Sequence, residues 1–442
     1  MFFSARYSWL DALYERSYRM KIGEVHLPGI DLYMVNAPEA VRRVMTSDAG
    51  RFLKSPLLGQ ALKPLLGESI FTTNGHQWER QRRMMDPAFA QARLNVSFPV
   101  MSSAVDDMLA RLAGKPDGAE HDVEIEMTHV TADIIFRTIF SQPLESDGAR
   151  RIFNAFTRFQ ALSPRLMLPS LFGLRWLVWP WDIWRSRRAA REIRQLLASL
   201  IRPRHTAFLE GASEQPADIL QSFMEARDSD TGAHFSFEEL VDQVAMLFLA
   251  GHETSASALT WACHLIAQCK ELQQRMIDEC QSVAGKQPLQ ASDVRSLELT
   301  RNVFRETLRL FPPVGFIARQ LQSSCTLGRK RLPDGATVVV SPWLIHRHRE
   351  YWQRPDLFDP DRFVAEDARE SLRQAYLPFG MGPRVCLGAA FALQEAVLIL
   401  IRLVSSYELH PVAGHTPIPV GRLTIRSANG VRLQLHRRSA RP

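Results

Sequence analysis

The sequence predicts a mainly α fold carrying small β-sheets, with one long central helix that crosses the molecule. Three observations predict it. Apolar residues recur at helical spacing through most of the chain up to residue 310. The stretch 217–287 contains no proline. Beyond residue 310, turn signals and β-branched runs replace the helical pattern.

In chain order, residues 9–19 read as a short helix, and 23–35 alternate around Pro28-Gly29, which signals a strand hairpin. Pro38 opens another helix, and 100–112 and 128–140 carry helical periodicity. Ser236 and Glu239 form a capping box at the start of the longest helix. If that helix runs to Gln268 it is roughly 48 Å long. Residues 244–250 within it are apolar on all sides and are expected to be buried. Pro312-Pro313 stops a helix, Pro333-Asp334-Gly335 marks a turn, and 337–340 is β-branched. Runs 423–426 and 431–435 flank Asn429-Gly430, a strong hairpin signal.

A chain of 442 residues, 46% hydrophobic and 23% charged, can bury a large core without metal clips or disulfides. With no repeats, low-complexity tracts or Gly/Ser-rich linkers, it reads as one continuous domain, 1–442. Arg6 and Asp11 interrupt the apolar start before a signal core or spanning helix can form, and no other stretch reads as long and uncharged enough to span. Five cysteines without CxxC spacing argue for a reducing compartment and against a disulfide framework or zinc site. A cytoplasmic location is expected. The net charge of +7 is dispersed, so nucleic-acid binding is not expected, while an acidic protein partner fits.

The segment 379–388, FGMGPRVCLG, carries the chemistry. A cysteine among glycines, with Arg384 two residues before it, is what a thiolate bound to haem iron needs: backbone free to turn around sulfur, N–H groups to stabilise it, and a cation for a propionate. The competing reading is an inert cysteine in a glycine-rich loop. Phe379, Gly382, Arg384, Cys386 and Gly388 match FxxGxRxCxG, the haem-binding signature of the cytochrome P-450 superfamily, which this chain resembles. Five fixed positions would arise by chance with probability on the order of 10⁻⁴.

That resemblance implies the cytochrome P-450 fold with its long helix over haem b (iron protoporphyrin IX), and Cys386 as the iron ligand. It places Trp78 and Arg82 (WxxxR), Arg319 and Arg384 beside the haem propionates; solvated arginine is the bland alternative for each cation. Glu306 and Arg309 share a helix face. They match the family's ExxR pair, completed by Arg362 into a structural network that supports the cysteine loop. Residues 250–255, AGHETS, resemble the oxygen-activating motif: Gly251 would leave room for dioxygen, and Glu253 and Thr254 would relay protons. Alternatively, Thr254 simply bonds back to a carbonyl one turn earlier.

The activity implied is insertion of one oxygen atom of O2 into a hydrophobic small molecule, fatty-acid-like or terpenoid-like. Electrons would come from separate proteins, a ferredoxin and its reductase or their equivalent. A peroxide-driven peroxygenase or haem isomerase is the second reading; such enzymes usually replace the acid–alcohol pair. A non-catalytic haem or gas-binding protein is the third. Arg80 and Arg83 could receive an acidic electron carrier, or be ordinary solvated charge. Trp176, Trp179, Trp181 and Trp184 fall where the family has its access lid; core packing is expected for most of them, with an apolar entry or a peripheral membrane contact as alternatives. Substrate contacts are expected from the loop 52–73, that lid, the helix before Gly251, and residues near Val314 and Pro417.

Overall fold

The computed structural model describes residues 8–27, 30–171, 178–212 and 216–438. Trp176 and the Pro28-Gly29 turn lie outside them. The longer helices are α1 (Pro56–Leu66), α2 (Gly75–Met85), α3 (Gln91–Ala113), α4 (Val123–Phe140), α5 (Asp147–Leu171), α6 (Pro180–Leu209), α7 (Phe237–Ala267), α8 (Lys270–Ala284), α9 (Glu298–Leu310) and α10 (Ala389–Ser406).

The long helix forms where its caps predict. In α7 the Ser236 hydroxyl accepts from the Glu239 N–H, the Glu239 carboxylate accepts from the Ser236 N–H, and Gln268 closes the far end. Its first half, Leu240 to Leu249, packs into a core with α1, α4, α5 and α6. Its second half, from Ala256 to Ala267, packs into another with α3, α4, α8, α9 and α10. Residues 250–255 fall at the change-over between these cores. Residues 244–249 are buried as expected, but Ala250 is exposed, on the same helical side as Thr254 four residues on.

The principal sheet runs in the order Ile22–Leu27, Ile30–Val35, Thr337–Val340, Ile317–Leu321, Phe52–Lys54. The predicted first hairpin is present, pairing Ile22 with Val35 antiparallel. At the other edge the antiparallel register sets Lys54 directly opposite Arg319. Like charges in that position repel.

Three expectations change. Residues 9–19 form two 3₁₀ turns, Trp9–Ala12 and Glu15–Tyr18, separated by an extended Leu13, as Trp9 turns inward edge-on to Phe316 and Trp343. No hairpin forms across Asn429-Gly430: Ile425–Ser427 pairs with Pro419–Gly421, whereas Arg432–Arg437 lies between Glu120–Asp122 and Tyr407–Pro411. Asn429 instead ties the chain sideways, its amide accepting from Ile418 N–H and donating to Thr416 O. Trp179, Trp181 and Trp184 are exposed rather than packed in the core.

Among the described residues one helix, α10, is long and apolar enough by length and composition to cross a membrane, although no such stretch was expected. It is a core helix, packed through Phe391, Val397 and Leu400.

Candidate active site

The cysteine loop is shaped by two left-handed glycines, Gly380 (φ 73°) and Gly382 (φ 71°). A Cβ on Gly382 would lie 2.1 Å from the Met45 carbonyl oxygen, so no side chain fits there. The turn brings the Cys386 N–H to the Phe379 carbonyl at 2.9 Å and the Val385 N–H to Gly382 O at 3.1 Å. Cys386 is exposed at the end of this turn, although protein atoms crowd its thiol. Burial raises its pKa, while the Gly388 N–H and the charge of Arg82 pull it down. Added at Gly388, a Cβ would meet no protein atom; what that residue visibly contributes is its N–H to sulfur.

Beside this loop the structure gathers cations that are far apart in sequence. Arg82, on α2, donates to the Val385 carbonyl at 2.7 Å and to Asp86 at 2.7 Å, fastening that helix to the cysteine loop. Arg384 donates to the carbonyls of Ala49 and Phe52, both at 3.0 Å. Trp78 is buried between cations, its ring 5.4 Å from the Arg384 guanidinium and 5.5 Å from Lys54 Nζ. Arg319 is lowered to about 10 by burial and then by Arg384. Lys54 is driven to about 6 by burial and then by Arg384, Arg319 and Arg82.

Among the described residues Lys54, Arg319 and Arg384 make no salt bridge, Glu79 acting on Arg384 only from a distance, and the Nε atoms of Arg319 and Arg384 are buried without an acceptor. Buried like charges with unused donors persist only where an anion complements them. Two propionates next to an exposed cysteine meet that requirement, so the residues fit a haem. Lys54 was missed in the sequence, where FLK reads only as strand; its place opposite Arg319 appears once the sheet register is known.

Glu306 and Arg309 form a fully buried bidentate pair, with both N–H···O contacts at 2.8 Å. Arg362 reaches Glu306 at 3.3 Å and donates to Gln353 O at 2.9 Å. The expected triad is therefore assembled. Its link to the cysteine loop is His346, whose carbonyl accepts from Arg309 at 2.8 Å and whose Nε2 accepts from the Leu377 N–H at 2.9 Å, just before Gly380. Arg80 and Arg83 are engaged within the chain, with Glu239 at 2.5 Å and Asp230 at 2.6 Å respectively, and Asp228 between them. They are not free docking charges.

On α7, Thr254 Oγ1 donates to Ala250 O at 2.7 Å, the back-bond open to a helical threonine. A side chain at Gly251 would approach the tip of Ile135 on α4 to 3.0 Å, so it would fit only if Ile135 shifted slightly. Glu253 is buried and turned toward other elements: it accepts from Gln160 of α5 at 2.8 Å and from Thr424 at 2.9 Å, with Arg426 at 3.9 Å. Arg426 in turn holds Glu124 at 2.6 Å. The adjacent His252 is fully buried and bonds Phe248 O at 2.5 Å, and burial lowers it to about 4. Gln160, Thr424 and Arg426 escaped the sequence reading because they come to Glu253 from 93 to 173 positions away.

The cytochrome P450 family model matches residues 6–429. Cyclooctatin synthase of Streptomyces melanosporofaciens is 32% identical over 88% of this chain and 83% of its own length. Pentalenene oxygenase of Streptomyces avermitilis is 31% identical, covering 92% and 88%. Cyclooctat-9-en-7-ol 5-monooxygenase of S. melanosporofaciens is also 31% identical, covering 89% and 83%. The solved haem domain of cytochrome P450DA superposes with a TM-score of 0.83 at 22% identity, covering 95% of this chain and 90% of that one. With the signature loop, the cation cluster and the fold in agreement, the chain belongs to the cytochrome P450 family and is a haem-dependent monooxygenase.

Proposed function

We propose that this monooxygenase inserts oxygen into a hydrophobic terpenoid-like substrate, with fatty-acid-like molecules the second class, and draws electrons from a separate ferredoxin and its reductase in the cytoplasm. Support for the substrate class comes from relatives named for pentalenene and cyclooctatin chemistry. The observation that carries the reading is the exposed Cys386 beside the mutually repelling basic residues Lys54, Arg319 and Arg384.

Haem iron held through the Cys386 thiolate supplies dioxygen binding and reductive O–O cleavage. The chain does the rest. Trp78, Arg82, Arg319, Arg384 and Lys54 would hold the propionates, while Phe379, Gly382 and Gly388 fix the loop around sulfur. Glu306, Arg309 and Arg362 anchor that loop to the core. While it donates to Ala250 O, Thr254 keeps an acceptor lone pair with which to hold a water; turning from Ala250 O, it can give up its own proton as it takes the one that water carries. Glu253 would refill that relay by taking a proton from solvent and handing it to the water when its carboxyl turns away from Thr424 and Gln160.

The ferrous protein with carbon monoxide should give the red-shifted Soret band of thiolate ligation; a histidine-type band in folded protein overturns the ligand assignment. Sesquiterpenes, diterpenes and long-chain fatty acids should then be screened for a spin-state shift. Those that bind should be oxidised with ferredoxin, reductase and NAD(P)H. Turnover supported by peroxide but not by reductant would overturn the electron-transfer reading.

A further inference from the structure

The first turns of α6 display an anomaly that oxygen chemistry does not use. Trp179, Trp181 and Trp184 are 71%, 56% and 44% exposed. The rings of Trp181 and Trp184 stack at 4.8 Å and 22°, forming one apolar slab, and the Arg188 guanidinium lies 5.5 Å over Trp184. Exposed tryptophans stacked together on one face ordinarily mark a place of contact.

Helical geometry groups these residues. At 100° per residue, Trp181, Trp184, Arg185, Arg188 and Arg191 fall within about 120° of arc. The opposite side, Ser186, Ala189, Ala190, Ile193 and Leu197, is buried against the protein. Exposed Arg185, Arg187, Arg188 and Arg191 have no carboxylate partner among the described residues, and Glu192, an acid on the same face, is engaged by Arg158 at 2.6 Å. The face is thus aromatic and cationic, with its acid neutralised. Tryptophan settles at the bilayer interface, where its ring is apolar and its N–H wet, and unpaired arginines meet anionic headgroups there.

We propose that this face docks α6 on an anionic phospholipid surface, a peripheral attachment through Trp179, Trp181, Trp184, Arg185, Arg188 and Arg191. A protein partner recognising the same patch would need an acidic, aromatic-accepting groove. The bilayer needs only its interface and negative charge, and a hydrophobic substrate concentrates in the same phase. The attachment rests on the exposed face and not on the substrate class proposed above.

The test is flotation of purified holoenzyme with vesicles of phosphatidylcholine alone or mixed with phosphatidylglycerol. Binding is expected to the mixed vesicles and to fall away at about 1 M salt, where screening acts within about 3 Å. Trp181→Ser/Trp184→Ser should weaken partitioning at least about tenfold, and Arg185→Glu/Arg188→Glu roughly thirtyfold or more. The exposed control pair Arg329→Glu/Arg331→Glu should leave it within about twofold, since the effect is confined to charges near the surface. The carbon monoxide spectrum reports that each variant retains haem. No flotation with mixed vesicles overturns the proposal. So does equal weakening by the control pair, which would trace binding to net charge. Loss of ferredoxin-supported reduction in the α6 variants with lipid binding intact would assign the face to the redox protein instead.

Discussion

At the scale of single residues, the proposed proton relay turns on two neighbours that face different ways. Thr254 is held by its own helix, whereas Glu253 is held by Gln160 and Thr424. Thr254→Ala removes the hydroxyl without disturbing the haem-side cations. Haem content should persist while product per NAD(P)H falls severalfold and peroxide rises; unchanged coupling would remove Thr254 from the proton relay. His252 gives a pH signature of its own. Its folded value, about 4, lies below the ordinary 6.5 because burial disfavours the charged ring. The unfolded chain therefore takes up a proton that the folded one refuses. Its contribution is whole above pH 6.5 and is lost as pH falls toward 4, by about 3 kcal/mol in all. Denaturant midpoints of wild type should drop relative to His252→Gln across that window and run parallel above it. The AGHETS motif made Glu253 and Thr254 legible in the sequence. It could not reveal which way Glu253 points, because the groups that decide this come from α5 and from Thr424 and Arg426 near the chain's end.

At the scale of elements, legibility followed the range of the interactions. The bounds of α7 could be read closely because both cap and periodicity are local. The Asn429-Gly430 signal misled because strand pairing is settled by distant partners, and Ile425–Ser427 found Pro419–Gly421. The ExxR pair on α9 was legible as spacing, but its value comes from what it fastens. Arg309 spends its donors on Glu306, His346 O, Pro355 O and Leu357 O, joining α9 to the loops that precede the cysteine. Lysine lacks the planar fork and has three donors, so Arg309→Lys should leave Glu306 and a carbonyl under-bonded in a dry interior. A loss of about 3–5 kcal/mol is expected. It should be read as a lowered urea midpoint together with a reduced Soret-to-protein absorbance ratio. An undiminished ratio would detach the network from support of the cysteine loop.

At the scale of the whole molecule, the haem site proposed above would bind cofactor and fold to one another by charge. Folding brings Lys54 from the edge strand and Arg384 from the cysteine loop to either side of Trp78, and sets Arg319 of the neighbouring strand opposite Lys54. These cations repel, as the value of about 6 for Lys54 records. A ligand that binds only the folded chain stabilises it, and one carrying two carboxylates also relieves this repulsion. Extracting the haem should therefore cost more stability than lost apolar contact alone. The excess should shrink as salt is raised, because screening substitutes in part for the propionates. The sign with pH is also fixed. Without haem, folded Lys54 is neutral above about pH 6 while the unfolded chain keeps its proton up to about 10.5, so stability of the haem-free protein should rise with pH across that interval. Lys54→Met removes both effects: it should raise the haem-free protein's thermal midpoint, flatten its pH dependence and weaken haem affinity, in a single variant followed by calorimetry and haem titration. A midpoint that falls on this substitution would mean that Lys54's bonds to the Ile70 and Thr73 carbonyls outweigh the repulsion, leaving it a brace for that loop rather than a partner of the propionates.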